Sequence, residues 1–260
     1  MAYHVVPKKS LGQHFLKDKQ IAQQIAELLP DDDRVVLEIG AGTGNLTDCL
    51  LEKAKDRLYV MDIDPDCIAY LKYKYPFLRD RIIAHDFLTF PLAHFFQGQA
   101  LTVVGNFPYN ISSSILFKIL EHQSMIKHVV GLFQKEVAQR YVALPCSKIY
   151  GIPSVLLQTF YDASLAFTLP PELFDPIPKV ESAVITMTRN SRDLPASDQK
   201  RLFYIVKQSF GQRRKKLYNS LQRFNLDKLP HDMGHKRAEE LSVQDFLDLV
   251  HLIEEKEWAD

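Results

Sequence analysis

Asn106, Phe107, Pro108 and Tyr109 put an amide, a carbonyl with no N–H of its own and a flat ring into four consecutive positions. An asparagine amide oxygen accepts a hydrogen bond, and proline offers a carbonyl without a competing donor. Tyr109 adds an aromatic face. Together such groups can hold a planar amine by both hydrogens and stack on the ring system that bears it. Methyl transfer to an adenine amine needs that arrangement. A plain strand-to-helix turn would use the same four residues, because an apolar run at 101–104 precedes them and helical spacing at 112–120 follows.

Further candidates close the preceding apolar runs. Residues 35–39 lead into Gly40-Ala41-Gly42-Thr43-Gly44, where glycine lets the chain turn tightly and a ligand approach without a Cβ in the way. The spacing is G-x-G-x-G, whereas the dinucleotide fingerprint is G-x-G-x-x-G. Asp62 ends the next run near the usual spacing for a carboxylate that accepts from ribose hydroxyls. Asp64 follows at a turn before Pro65. Asp86, in His85-Asp86-Phe87, ends the third run and can accept from an adenine amine. Singly, each acid is more often a helix cap or a solvated loop residue. Three consecutive runs ending in ligand-capable groups, with Asn106 on the fourth, suit an adenosine without a pyrophosphate. S-adenosylmethionine fits, with Gly40, Gly42, Asp62, Asp86 and Asn106 as candidate binding residues.

These groups need a frame. Apolar runs at 35–39, 58–63, 82–84, 101–104, 128–133 and 184–187 read as strands, and helical spacing at 21–29, 46–51, 66–75 and 112–120 separates the first of them. Strands alternating with helices require right-handed crossovers and a mostly parallel, doubly wound sheet. Such sheets bind ligands at the carboxyl ends of their strands, where the strand order reverses. Residues 190–197, rich in Ser, Asp and Pro, read as a linker. Beyond it the period is helical, with one stripe of Leu202, Ile205, Val206 and Phe210 and another of Phe246, Leu249, Val250 and Ile253.

Composition bounds the partners. Hydrophobic residues make up 46% and charged residues 25% of the chain, ordinary values for a globular protein. No run approaches the ~20 apolar residues of a membrane span. Residues 1–10 are basic and lack the apolar core of a secretory leader. Cys49, Cys67 and Cys146 are scattered without metal-ligand spacing, so no metal is expected and the thiols read as reduced, in a cytoplasmic protein. Lys plus Arg equal Asp plus Glu at 32 each, yet the charge is asymmetric. Lys200, Arg201, Lys207, Arg213, Arg214, Lys215 and Lys216 stand in a stretch with no acid, and residues 227–260 are acidic, with Glu239, Glu240, Glu254, Glu255 and Glu257. Arg213-Arg214-Lys215-Lys216 is dense enough for a phosphate-contacting patch, with Lys8 and Lys9 as further candidates.

The chain closely resembles the ribosomal RNA adenine dimethyltransferases, specifically the bacterial KsgA type that acts on small-subunit RNA. The matching pieces run from near the N-terminus to about residue 221. They are Lys9-Ser10-Leu11-Gly12-Gln13-His14-Phe15-Leu16, the glycine loop, Asp62, Asp86, Asn106 to Tyr109, and Gln134-Lys135-Glu136-Val137-Ala138. Next come Ser147-Lys148-Ile149-Tyr150-Gly151 and Phe174-Asp175-Pro176-Ile177-Pro178-Lys179-Val180-Glu181-Ser182. The last is Phe210-Gly211-Gln212-Arg213-Arg214-Lys215-Lys216-Leu217. The resemblance implies that His14 and Leu16 cover the methionine end of the cofactor and that Phe174 stacks on the target adenine opposite Tyr109. The chain departs from the family in Asp62, often Glu there, in Phe107, commonly Leu, and in Ile152-Pro153, where Arg-Leu is usual.

The expected fold is α/β: a doubly wound, mostly parallel, seven-stranded Rossmann-like methyltransferase sheet over residues 1–190, with a small all-helical RNA-binding domain over 197–260. The expected reaction is methyl transfer from S-adenosylmethionine to the exocyclic amines of two adjacent adenosines near the 3′ end of 16S ribosomal RNA. The partner is that RNA in the small subunit or its precursor, the protein a monomer. Other readings stay open: a non-catalytic factor in small-subunit assembly, a nicotinamide-dependent oxidoreductase, and a sister enzyme acting on large-subunit RNA.

Overall fold

The computed structural model describes residues 5–224 and 231–253; Asp227, Glu254, Glu255 and Glu257 of the acidic stretch lie outside them. The chain divides into two compact units, one of Met1–Ala138 with Asp162–Arg189, the other of Gln139–Tyr161 with Asn190–Asp260. The first differs from the expected 1–190 because residues 139–161 group with the helical unit.

In chain order the strands are β1 (Phe15–Leu16), β2 (Val35–Ile39), β3 (Leu58–Asp62), β4 (Ile82–Ala84), β5 (Leu101–Asn106), β6 (Ile126–Gln134), β7 (Tyr161–Leu169), β8 (Phe174–Asp175) and β9 (Ser182–Arg189). Seven form one sheet in the order β4-β3-β2-β5-β6-β9-β7, and β1 pairs with β8 in a second, two-stranded sheet. The β2–β3, β3–β4, β2–β5 and β5–β6 pairs are parallel, and β6–β9 is antiparallel. Parallel strands need both faces covered and so read as unbroken apolar runs; Leu101, Val103 and Val104 are each 0% exposed. The apolar-run reading missed the short β1 and β8 and, within the seven-stranded sheet, β7. The burial of β7 alternates residue by residue, the signature of a strand with one wet face.

Helices α1 (Lys19–Glu27), α2 (Asn45–Ala54), α3 (Pro65–Lys74), α4 (Leu92–Phe95) and α5 (Ser112–Glu121) belong to the first unit. Their starts are set by local chemistry. Asp18 caps α1 by accepting from Gln20 and Ile21 N–H, and Asp64 caps α3 by accepting from Asp66 N–H, with Pro65 in the first turn. Chain order reverses between β2 and β5, so the loops after these two strands open a crevice at the carboxyl edge.

α6 (Lys135–Tyr141) spans the boundary between the units, and α7 (Ile152–Phe160), α8 (Ala196–Gly211), α9 (Leu217–Ser220), α10 (His231–His235) and α11 (Val243–Leu252) build the second. α7 packs on α8 and α11. Leu202, Ile205, Val206, Phe246, Leu249 and Val250 are buried, as the two stripes require, and Phe210 stacks on Phe246 and meets Tyr150 edge-on, both at ring distances of 6.0 Å. α7 buries residues on nearly every side, so linear order could not assign it to this core. Among the described residues, no helix is long and apolar enough to cross a membrane.

Candidate active site

The crevice is partly open to solvent, with about 680 Å³ of empty space that includes its open mouth. Gly40, Gly42, Asp62, Asp86, Asn106, Pro108, Tyr109 and His14 all line it. A smaller recess of about 290 Å³ shares Phe15, Gly40 and Asn106 with it and adds Leu16, Glu38, Ala41, Thr43, Asn45 and Leu46.

The glycine loop is held open by backbone geometry. Gly40, Gly42 and Gly44 all have positive φ, at 71°, 56° and 76°. At Gly42 a Cβ would also stand 2.7 Å from the Phe15 ring. The Gly42 N–H donates to Asp62 Oδ2 at 2.8 Å, and Asp64 N–H donates to Asp62 Oδ1 at 2.9 Å. Burial pushes the Asp62 carboxyl up from its usual range, and those N–H groups oppose the shift. Asp62 is thus a fixed acceptor at the cavity wall with lone pairs to spare. Asp86 accepts from Leu88 N–H at 2.9 Å, which holds its loop while the carboxylate lines the cavity.

Asn106 ends β5, and its Nδ2 donates to the His14 carbonyl at 2.6 Å. A carbonyl only accepts, so the nitrogen must lie there and the amide oxygen is left to accept from something else. The Pro108 carbonyl accepts from Ile111 N–H at 3.2 Å. Ser112 Oγ lies 3.3 Å from it but 3.1 Å from the Tyr109 carbonyl, and one hydroxyl proton serves one acceptor well. Ser112 Oγ is therefore the weaker of the two donors that reach the Pro108 carbonyl. The Tyr109 hydroxyl bonds Ser182 Oγ at 2.5 Å, and burial raises its pKa. Its ring stacks on His14, centroids 5.3 Å apart. His14 Nδ1 donates to the Pro176 carbonyl at 2.6 Å.

Other residues singled out in the sequence sit differently. Phe174 is 0% exposed, packed in the core and absent from the cavity wall, and the ring stacked on Tyr109 is that of His14. Leu16 lines the smaller recess instead of the main cavity, because its neighbours on β8 and α2 draw it into the core. Asp64 is wholly buried and turns away from the cavity to Lys8 at 2.5 Å and Gln13 at 2.9 Å. Lys8 also meets Asp66 at 2.6 Å, so it is not a spare cation for phosphate. Glu38 is a residue that motif spacing does not single out. It is 1% exposed, accepts from Thr47 Oγ1 at 2.6 Å, and burial pushes its pKa up to about 8. Its signal is present in the sequence all the same: one acid inside an apolar strand is a rare placement.

In the second unit, Arg214, Lys215, Lys216, Asn219, His235, Arg237 and Cys146 line a broad basin with Glu239 and Glu240. Arg213 is not among them. Its guanidinium pairs with Glu239 at 2.5 Å and donates to the Lys148 carbonyl at 2.7 Å, so it braces the unit. That pair also neutralises one acid of the basin. The Lys216–Arg237 bridge brings in Arg237, a cation that the acidic average of residues 227–260 conceals.

The residues present fit S-adenosylmethionine: glycines that leave room for a ligand, a buried acceptor at Asp62 for ribose hydroxyls, and Asp86 for an adenine amine. Among the described residues no cluster of His, Cys, Asp and Glu could hold a metal. Fold and site together define a Rossmann-like, S-adenosylmethionine-dependent methyltransferase. Residues 6–255 match the model of the family described as ribosomal RNA adenine dimethylase, and the chain belongs to that family. Similarity extends past the expected limit near residue 221. The ribosomal RNA small subunit methyltransferase A of Cytophaga hutchinsonii is 47% identical over 97% of this chain and 99% of its own length. That of Parabacteroides distasonis is 49% identical over 97% and 95%. Among solved structures, a dimethyladenosine transferase from Plasmodium falciparum superposes with a TM-score of 0.75 at 27% identity, covering 91% of this chain and 96% of its own. The 23S rRNA methyltransferase ErmE gives a TM-score of 0.69 at 25% identity, covering 92% and 99%.

Proposed function

We propose that this rRNA adenine dimethyltransferase acts on the small subunit, converting two adjacent adenosines near the 3′ end of 16S rRNA to dimethyladenosine. We place it in the cytoplasm as a monomer, with a further part in late small-subunit biogenesis. The observation that carries the chemistry is the orientation of Asn106. Its amide nitrogen is committed to His14, so its oxygen can take one hydrogen of an adenine amine, and the Pro108 carbonyl, displacing its weak contact with Ser112, the other. The amine lone pair, otherwise delocalised into the ring, is then localised for attack. S-adenosylmethionine supplies an electrophilic methyl group when bound. No strong base need act first, since the nitrogen becomes acidic only after it gains the methyl. Alignment of the reacting groups is worth up to ~7–11 kcal/mol in well-oriented systems.

The target adenine must leave its stack, at a cost of a few kcal/mol that is least in loops. Stacking on an aromatic side chain returns ~1–3 kcal/mol, and Tyr109 supplies that ring. Arg214, Lys215 and Lys216, joined by Arg237, contribute phosphate contacts that weaken with salt.

A large-subunit substrate is the second reading, favoured by the likeness to ErmE. Identity favours the small subunit: the small-subunit relatives reach 49%, ErmE 25%. Parallel incubations of labelled S-adenosylmethionine with small subunits lacking the modification and with unmodified large-subunit RNA, followed by nucleoside analysis, test the proposal. Label should appear in dimethyladenosine. Label only in large-subunit RNA, or in no adenosine, would overturn it.

A further inference from the structure

Strand β1 is held along its two edges by different kinds of partner. One edge pairs with β8, and Lys17 N–H continues that ladder to the Leu173 carbonyl at 2.9 Å. Carbonyls two residues apart leave the same edge of an extended chain, so those of His14 and Leu16 face away from β8. Among the described residues no strand meets them. Two side-chain amides do. Asn106 Nδ2 donates to His14 O and Asn45 Nδ2 to Leu16 O, each at 2.6 Å. As at Asn106, the acceptor being a carbonyl identifies the asparagine atom as nitrogen. Leu16 is 4% exposed, so little water is at hand to replace a missing partner.

We infer that Asn45 is a positioning residue of the methyl-donor site, latching β1 so that His14 and Phe15 form one wall of it, with Leu16 beside them in the adjoining recess. The inference rests on reading the cavity as that site. Three contacts make the latch matter beyond the strand. The His14 ring lies on Tyr109, the Phe15 ring fills the space over Gly42, and Leu16 shares the small recess with Asn45 and Glu38. A strand two residues long, paired on one edge only, has few bonds of its own to keep these groups in register. The latch also couples the start of α2, behind the glycine loop, to the segment that positions Asn106.

Asn45 is also the first residue of α2, and the bland alternative is that it serves only the helix start. The two roles give opposite signs for aspartate. A carboxylate in the first turn suits the helix dipole, whereas opposite the Leu16 carbonyl it has no proton to give and repels. The experiment uses the full chain and the variants Asn45→Ala and Asn45→Asp. Hydrogen exchange without ligand should show the Phe15 and Lys17 amides opening faster in both variants than in the parent. Titration with S-adenosylmethionine should show affinity about three- to tenfold weaker in Asn45→Ala, as expected when one hydrogen bond is removed. The effect should be larger in Asn45→Asp, although that variant melts no lower than Asn45→Ala. At saturating donor, kcat should fall by a smaller factor than the affinity does, marking an effect mainly on binding. Unchanged exchange at Phe15 and Lys17, wild-type affinity in Asn45→Asp, or affinities that follow Tm across both variants would overturn the inference. Failure of the parent chain to bind the donor would instead sink the cofactor reading, with the exchange result still deciding the latch.

Discussion

At the scale of single residues, two polar groups at the carboxyl edge of the sheet matter most, one on β5 and one on β2. Asn106 serves two masters through opposite ends of one amide, nitrogen to the chain and oxygen to the substrate. Asn106→Ala should lower kcat by about 10²-fold or more, the size of removing one preorganised group at a reacting centre. Its affinity for S-adenosylmethionine should stay within a few-fold, since only the bond to His14 is missing on that side; titration and single-turnover assays separate the two. Glu38 leads to a different prediction, on stability. Its folded pKa of about 8 lies above the ordinary glutamate value of 4.5, so the folded state keeps a proton that the unfolded chain releases. Its contribution is intact below pH 4.5, declines as pH rises from there, and is gone above about 8. Glu38→Gln, neutral and of the same shape, should therefore flatten the fall of Tm between about pH 5 and about pH 8 in thermal melts. A parallel pH profile in the variant would mean that Glu38 ionises freely.

Elements set what those residues can reach. The glycine loop works because a positive-φ turn after β2 aims the Gly42 N–H at Asp62. Gly42→Ala adds strain at φ 56° and a clash with Phe15, and calorimetry should show donor binding weakened by about tenfold or more. β9 has a second role besides closing the sheet, since its first residue, Ser182, is 0% exposed and anchors the Tyr109 hydroxyl. Ser182→Ala should lower kcat/KM for RNA by about two- to tenfold, the effect of one neutral hydrogen bond, while donor affinity stays unchanged. Equal weakening of both would show that Ser182 supports the sheet and not the ring.

For the whole molecule, the division into two units separates the chemistry from the basic basin. Every residue lining the donor cavity belongs to the first unit, and every residue lining the basin to the second. Arg214→Glu with Lys215→Glu should weaken RNA binding and reduce the slope of log K against log salt by about one for each phosphate no longer neutralised. Donor affinity should not change. Arg213→Glu should instead lower Tm, because it sets two carboxylates face to face at Glu239. An unchanged salt slope in the double variant would remove the basin from RNA recognition.

The alternating apolar runs, the G-x-G-x-G turn and the acids closing successive strands are legible in the chain, because period, turn chemistry and strand ends are local properties. They suffice for the doubly wound sheet and for the placement of Gly40, Asp62, Asp86 and Asn106 around one crevice. β7 is legible too, in the alternation of Tyr161, Ala163, Leu165, Phe167 and Leu169, but a search for unbroken apolar runs passes over that pattern. What side chains do with neighbours far along the chain is not legible. Phe174 and Tyr109 are both aromatic residues beside a motif, yet one is sealed in the core and the other lines the cavity. Arg213 and Arg214 are adjacent, yet one braces a fold and the other lines the open basin. The grouping of residues 139–161 with a helical core tens of residues downstream has the same origin. Burial and pairing are set by contacts across long loops, and no period or spacing along a linear chain encodes which partner folding brings within reach.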